Sequence, residues 1–301
     1  MTLNRSIVSL FLLALAGCPG SEQTPVKLSP DKPVVYTVNY PLQYFAERIG
    51  GGLVEVRFPA PTGEDPAYWE PSAEIIQDYQ QAGLILLNGA GYAKWAAKAT
   101  LPESRMVDTS ASFRNRLIGI EEISTHTHGP QGEHAHGGTA FTTWLDPSLA
   151  AAQAEAVARA IGQILPDADI SKNLAGLKGG LEVLDAAMKD ATRSYEGAPL
   201  LGSHPVYQYL ARAYGLNLRQ MRWEPNAMPP PAEWRNLDRL LQEHAARWMI
   251  WEAPPSPAVA SELERRGVRC AVFHTIGNRP ESGDYLTVMS ENIERIRPVF
   301  Q

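Results

Sequence analysis

Apolar residues along this chain alternate between short continuous runs and helical spacing. Residues 34–40, "VVYTVNY", predict a β-branched strand, and "PLQYFAERIGG" predicts a helix closed by Gly51. "GLVEVRFPAP" reads as a second strand that enters a loop at Pro59, "PSAEIIQDYQQAG" as a helix, and "LILLNG" as a buried parallel-type strand. Strand, helix, strand, helix, strand is the order of an α/β domain with a parallel sheet.

The middle of the chain is helical. Residues 146–165, "DPSLAAAQAEAVARAIGQIL", form an alanine-rich helix with Pro147 in its first turn. Residues 170–195 follow with Leu174, Leu177, Leu181, Leu184 and Met188 on one helical face. The alternation then resumes through four strands ("PLLGS", "LNLRQMRW", "RWMIWEA", "VRCAVFHT") with helices "PVYQYLARAYG", "EWRNLDRLLQEHAA", "SPAVASELERRG" and "DYLTVMSENIERI". The expected fold is α/β: two lobes with parallel-type sheets flanked by helices, joined by a long rigid helix. A cleft between such lobes is a natural ligand site.

One stretch fits neither period. Residues 126–138, "HTHGPQGEHAHGG", hold four of the seven histidines among glycine, proline and polar residues, which predicts a surface loop without a stable fold. His126, His128, His134 and His136 are either transition-metal ligands or a solvated low-complexity patch.

The N-terminus reads as an address. Arg5 precedes an apolar run over 7–16, too short for a membrane helix of roughly 20 residues but right for a secretory leader. "LAGC" resembles a bacterial lipobox, which implies cleavage before Cys18 and lipid attachment there. The expected organisation is a signal peptide over 1–17, a lipid-anchored tether over 18–32, and an N-terminal lobe over 33–150. Linking helices over 151–198 and a C-terminal lobe over 199–301 complete it. With Cys18 lipidated, Cys270 alone keeps a free thiol after processing, inside "VRCAVF", so a buried structural thiol is expected and a disulfide or thiolate metal cluster is excluded. The composition, 44% hydrophobic and 20% charged, is that of a globular protein, and the net charge of −6 argues against nucleic acid as partner. "NGAGYAKW" hints at a dinucleotide loop through Gly89 and Gly91, but the third glycine and a spaced acidic partner are missing.

The segments "GLILLNGAGYAKW", "TTWLDPSLA", "SHPVYQYLARAYGL", "WEAPPSPAVASELERRG" and "DYLTVMSENI", in this order, resemble the metal-specific solute-binding proteins of bacterial ABC importers. That resemblance implies one divalent ion between the lobes, four ligand positions, and delivery to an inner-membrane permease. It implies a monomeric binding protein, not an enzyme, facing the periplasm or cell exterior. Carried over by motif, the ligand positions fall on Asp65, Thr142, His204 and His274. Thr142 is a poor zinc ligand, so a loop histidine, water or Glu64 would have to replace it. His204, before Pro205, is expected at a helix N-cap.

Imidazole predominates in this set, so Zn2+ is the expected ion, with Mn2+, Cu2+ and Ni2+ as alternatives. Structural roles compete: Asp65 as a turn cap, His204 as a helix cap, His274 as a core histidine, His244 as a helix-surface residue. Trp69, Tyr68 and Trp144 read as cleft-wall packing. Two other functions stay open. One is a metalloenzyme, weakened by the lack of an "HExxH" pair and by Glu64 and Glu252 as the only candidate bases. The other is a degenerate receptor that has lost its metal and binds another ligand or a protein.

Overall fold

The computed structural model describes residues 32–120 and 138–301, and between them the backbone of two short strands. The expected leader, Cys18 and all but the last residue of the expected tether lie outside the described residues.

Two four-stranded sheets carry the fold. The first holds β1 (Val34–Thr37), β2 (Glu55–Arg57), β3 (Leu84–Leu87) and β4 (Met106–Asp108), in the order β2-β1-β3-β4. The second holds β9 (Leu200–Gly202), β10 (Leu218–Gln220), β11 (Trp248–Trp251) and β12 (Arg269–Val272), in the matching order β10-β9-β11-β12. Every rung in both sheets is parallel, with Val35 opposite Val56 and Leu84 in the first. In each lobe the strand order reverses beside the first strand, and parallel sheets bind ligands outside the carboxyl ends at that reversal.

Helix starts are set by local capping chemistry. Asn39 accepts the Leu42 amide at the start of α1 (Tyr40–Gly50), and Ser72 accepts the Ile75 amide at α2 (Ala73–Gln81). Asp146 accepts the Ser148 and Leu149 amides at α3 (Pro147–Ile164), with Pro147 in the first turn as the sequence predicts. The second long helix is α4 (Ser171–Ala191), about 31 Å at the usual rise. Its Leu177, Leu181, Leu184 and Met188 are buried, each contributing roughly 1.5–3 kcal/mol before entropy. The helix packs on α1 and α3 on one side and on α8 (Tyr285–Ile296) on the other, so it is tied to both lobes. One apolar cluster runs from Val35 through α4 to Phe300. A second lies behind the C-terminal sheet, under α6 (Pro231–Glu243) and α7 (Pro257–Arg265).

Three local expectations need correction. α5 spans Gln208–Tyr214, so His204 stands four residues ahead of the helix and is not its N-cap. His244 is not on a helix surface: it is buried just past α6, and its Nε2 lies 2.8 Å from the Leu200 carbonyl. The histidine-rich stretch is not devoid of structure either. It is rooted on a two-stranded ladder of β5 (Gly119–Ile120) and β8 (Gly138–Thr139), and contains β6 (Thr125–Thr127) paired antiparallel with β7 (Glu133–Ala135). His126 stands opposite His134 in that register, while His128 and His136 lie outside the described residues. Cys270 is half-buried, and burial pushes its thiol up to about 11, as expected of a structural cysteine.

Candidate functional site

A cleft of about 460 Å³ opens between the lobes, walled by turns that follow the carboxyl ends of the parallel strands. His204 follows β9, Glu224 follows β10, Glu252 follows β11 and Thr275 follows β12. From the N-terminal lobe come Glu64 and Asp65, in the long loop after β2, and Phe141 and Thr142 ahead of α3.

Backbone bonds extend the C-terminal sheet past its strands and set these side chains side by side. Ser203 N–H donates to Ile250 O at 2.8 Å, and Trp223 N–H donates to Ser203 O at 2.7 Å. The buried His204 thereby faces Glu224, with Nδ1 3.3 Å from its Oε1. A carboxylate beside one ring nitrogen is the usual neighbour of a metal-ligating histidine. Among the described residues the cleft is lined by four carboxylates, one imidazole and no lysine or arginine. Their field is felt at Tyr68: burial, then the charges of Asp65, Glu252 and Glu224, push its phenol well above the usual range and keep it protonated.

Asp65 lines the cleft and also caps its own turn. Its Oδ1 accepts the Ala67 amide at 2.9 Å, and its carbonyl accepts the Tyr68 and Trp69 amides. Thr142 is buried and its hydroxyl donates to Val206 O, so it joins one lobe to the other. Behind it, Asn88 donates to Phe141 O, Gln153 donates to Asn88 Oδ1, and Thr143 donates to Gln153 Oε1. This buried and fully bonded network fixes the cleft wall.

The cleft brings Asp65 and His204 together and leaves His274 out. His274 lines a neighbouring cavity of about 590 Å³ with Arg295 and Glu291. Its backbone N–H and C=O are both bonded by the buried Asn292 side chain, at 3.0 and 2.8 Å. Burial, then the Arg295 guanidinium, hold its imidazole below the usual range, while a bond to the Glu252 backbone opposes them. Past the end of β12 at Val272, Thr275 lines both the cleft and this neighbouring cavity, whereas His274 lines only the latter. Among the described residues, no three or more His, Cys, Asp or Glu side chains converge closely enough to hold a metal ion.

The family model described as "Zinc-uptake complex component A periplasmic" matches residues 35–299. The chain belongs to this family. That family includes metal ABC transporter solute-binding proteins, and the chain has the two-lobed α/β fold of its solved relatives. It is similar to the zinc-binding lipoprotein AdcA of Streptococcus pneumoniae, at 25% identity over 97% of this chain. That match spans 59% of AdcA's own length. The manganese ABC transporter substrate-binding lipoprotein PsaA of Streptococcus pneumoniae is 26% identical over 97% of this chain and 96% of its own. Among solved structures, the metal-dependent lipoprotein YcdH of Bacillus subtilis superposes with a TM-score of 0.76 at 22% identity, covering 90% of this chain and all of that one. By name, AdcA is a zinc-binding lipoprotein and PsaA the substrate-binding lipoprotein of a manganese ABC transporter. Among the described residues no helix is long and apolar enough to cross a membrane.

Sequence reasoning missed Glu224 and the placement of Thr275. The signal was present, because each stands just past the end of a strand that the pattern identifies, where parallel sheets put their ligand residues.

Proposed function

We propose that this chain is the lipid-anchored solute-binding subunit of a metal ABC importer. It takes one divalent transition metal, zinc foremost, into the interlobe cleft and passes it to a membrane permease without chemical turnover. The observation that carries this reading is the buried His204, beside Glu224, inside a cleft that among the described residues is lined by carboxylates and no cationic side chain.

The described side chains of the cleft supply one imidazole, and a zinc site asks for about four donors close together. The missing nitrogens come from the histidine-rich stretch. Its root reaches the cleft, because Ile120 of β5 and Ala140 just past β8 both line it. In this reading His126, His128, His134 and His136 collect metal and complete the site, with Asp65 as a carboxylate partner. His274, away from the cleft, keeps only a structural role. Imidazole supplied this way favours Zn2+ over Mn2+, whereas Cu2+ and Ni2+ compete on the same donors.

A second reading has its own observation. The Thr142 hydroxyl is bonded to Val206 O, which suits a receptor whose cleft has given up metal for another ligand or a protein partner. Metal analysis after dialysis against equal Zn2+, Mn2+, Cu2+ and Ni2+ separates the two. The first reading expects about one zinc per chain, lost when all four loop histidines become alanine. A wild-type protein that retains no metal establishes the second.

A further inference from the structure

Five residues after β12 carry a concentration of bonds between the lobes. Trp144 Nε1 donates to Thr275 O at 2.6 Å, and Tyr40 N–H donates to Gly277 O at 3.0 Å. Asn278 Nδ2 donates to both Pro61 O and Glu64 O, at 2.7 and 2.8 Å. The Arg279 guanidinium donates to Phe58 O and Ala60 O and lies 4.7 Å over the Phe58 ring. Every one of these partners belongs to the N-terminal lobe, and 58–64 is the loop that delivers Glu64 and Asp65 to the cleft.

The centre of the segment is strained. Ile276 is buried with φ +56°, in the left-handed region that a β-branched side chain rarely adopts. Such a residue persists only where its surroundings over-determine it, and here bonded carbonyls hold it on both sides. The same segment touches the cleft through Thr275, whose hydroxyl lies 3.5 Å from Glu252 Oε2. A cleft wall from one lobe, a loop from the other and a strained link between them are therefore one mechanical unit.

We propose that residues 275–279 are a strained clasp that ties the two walls of the cleft together, and that it must release loop 58–64 before cargo can leave. Its part in cargo release rests on the receptor function proposed above; the clasp itself does not.

Asn278→Asp tests it in the full chain. The carboxylate keeps the acceptor for Arg279 N–H but sets an oxygen against Pro61 O and Glu64 O in place of the donor. Hydrogen exchange at the Ala67, Tyr68 and Trp69 amides, all bonded to Asp65, should accelerate about tenfold, with β11 and β12 unchanged. Asn278→Ala should act in the same direction without the added charge. Unchanged exchange at 67–69, or an equal rise across the C-terminal sheet, overturns the clasp. Release of bound Zn2+ to a chelator should quicken in both variants. A protein that binds no zinc fails the receptor reading, while the exchange result still decides the clasp.

The strain has its own test. Ile276→Gly and Ile276→Ala lose nearly the same side chain, but only glycine relaxes at φ +56°. The glycine variant should melt at the higher temperature; equal melting temperatures refute the strain.

Discussion

Replacing Thr142 by valine separates the two roles this position can play. The shapes match, so no cavity forms, and the change removes only the hydroxyl that donates to Val206 O. Thr142 is 3% exposed and Val206 is 9% exposed, so water cannot restore the lost bond. A net hydrogen bond contributes about 0.5–1.5 kcal/mol, and a buried carbonyl left unpartnered raises the loss to about 1–3 kcal/mol. For a chain of this size each kcal/mol moves Tm by about 2 °C, so the melt should fall by about 2–6 °C. Valine has no donor for a metal, yet the hydroxyl is engaged in the lobe contact, so zinc affinity should stay within about twofold. Calorimetric melts paired with a zinc titration read both quantities on one preparation. An unchanged Tm with an affinity weakened tenfold or more would show the hydroxyl to be a ligand and refute the argument.

Two further predictions concern acid. Asp284 caps α8; burial alone would raise its carboxyl, but the Thr287 amide and hydroxyl, Tyr44 and Arg48 together hold it below the usual range. A depressed carboxyl gives stability that is present above about pH 4 and lost as pH falls through the folded value. Asp284→Ala should therefore cost about 1 kcal/mol at neutral pH and flatten the acid limb of a urea-midpoint profile. His274 shares this preference for the deprotonated form in a higher pH window: its depressed imidazole means the unfolded chain binds more protons below about pH 6.5. Stability should decline as pH drops from there through the folded value, and His274→Gln should remove that part of the decline between pH 7 and 5. An unaltered slope would show that the imidazole titrates normally.

Much of the fold was readable because its strands are short apolar runs bounded by capped helices. β1, β3, β9 and β11 are buried on both faces, and Asp146 with Pro147 marks the start of α3 unambiguously. β4 was not legible: three residues, "MVD", all half-buried, carry no period to detect. The site was harder for the same local reason. Pro205 after His204 resembles a helix start, yet the chain makes a further turn before α5 begins at Gln208. Past the end of β12, Thr275 lines the cleft while its neighbour His274 lines the adjoining cavity, a placement that residue type alone does not reveal. Glu224 has no motif of its own; the pairing of β10 beside β9 brings it to His204. His244 looked like a surface position because its bond to Leu200 O depends on a strand 44 residues away.

The central claim is that the cleft around His204 is the metal site. The most direct measurement is a calorimetric zinc titration of the wild type beside His204→Ala. The account predicts one tight zinc per wild-type chain and an affinity lower by about 100-fold or more in the variant, since losing one ligand of about four removes a large share of the binding. Equal affinity in the two proteins, or no tight zinc in either, would contradict it.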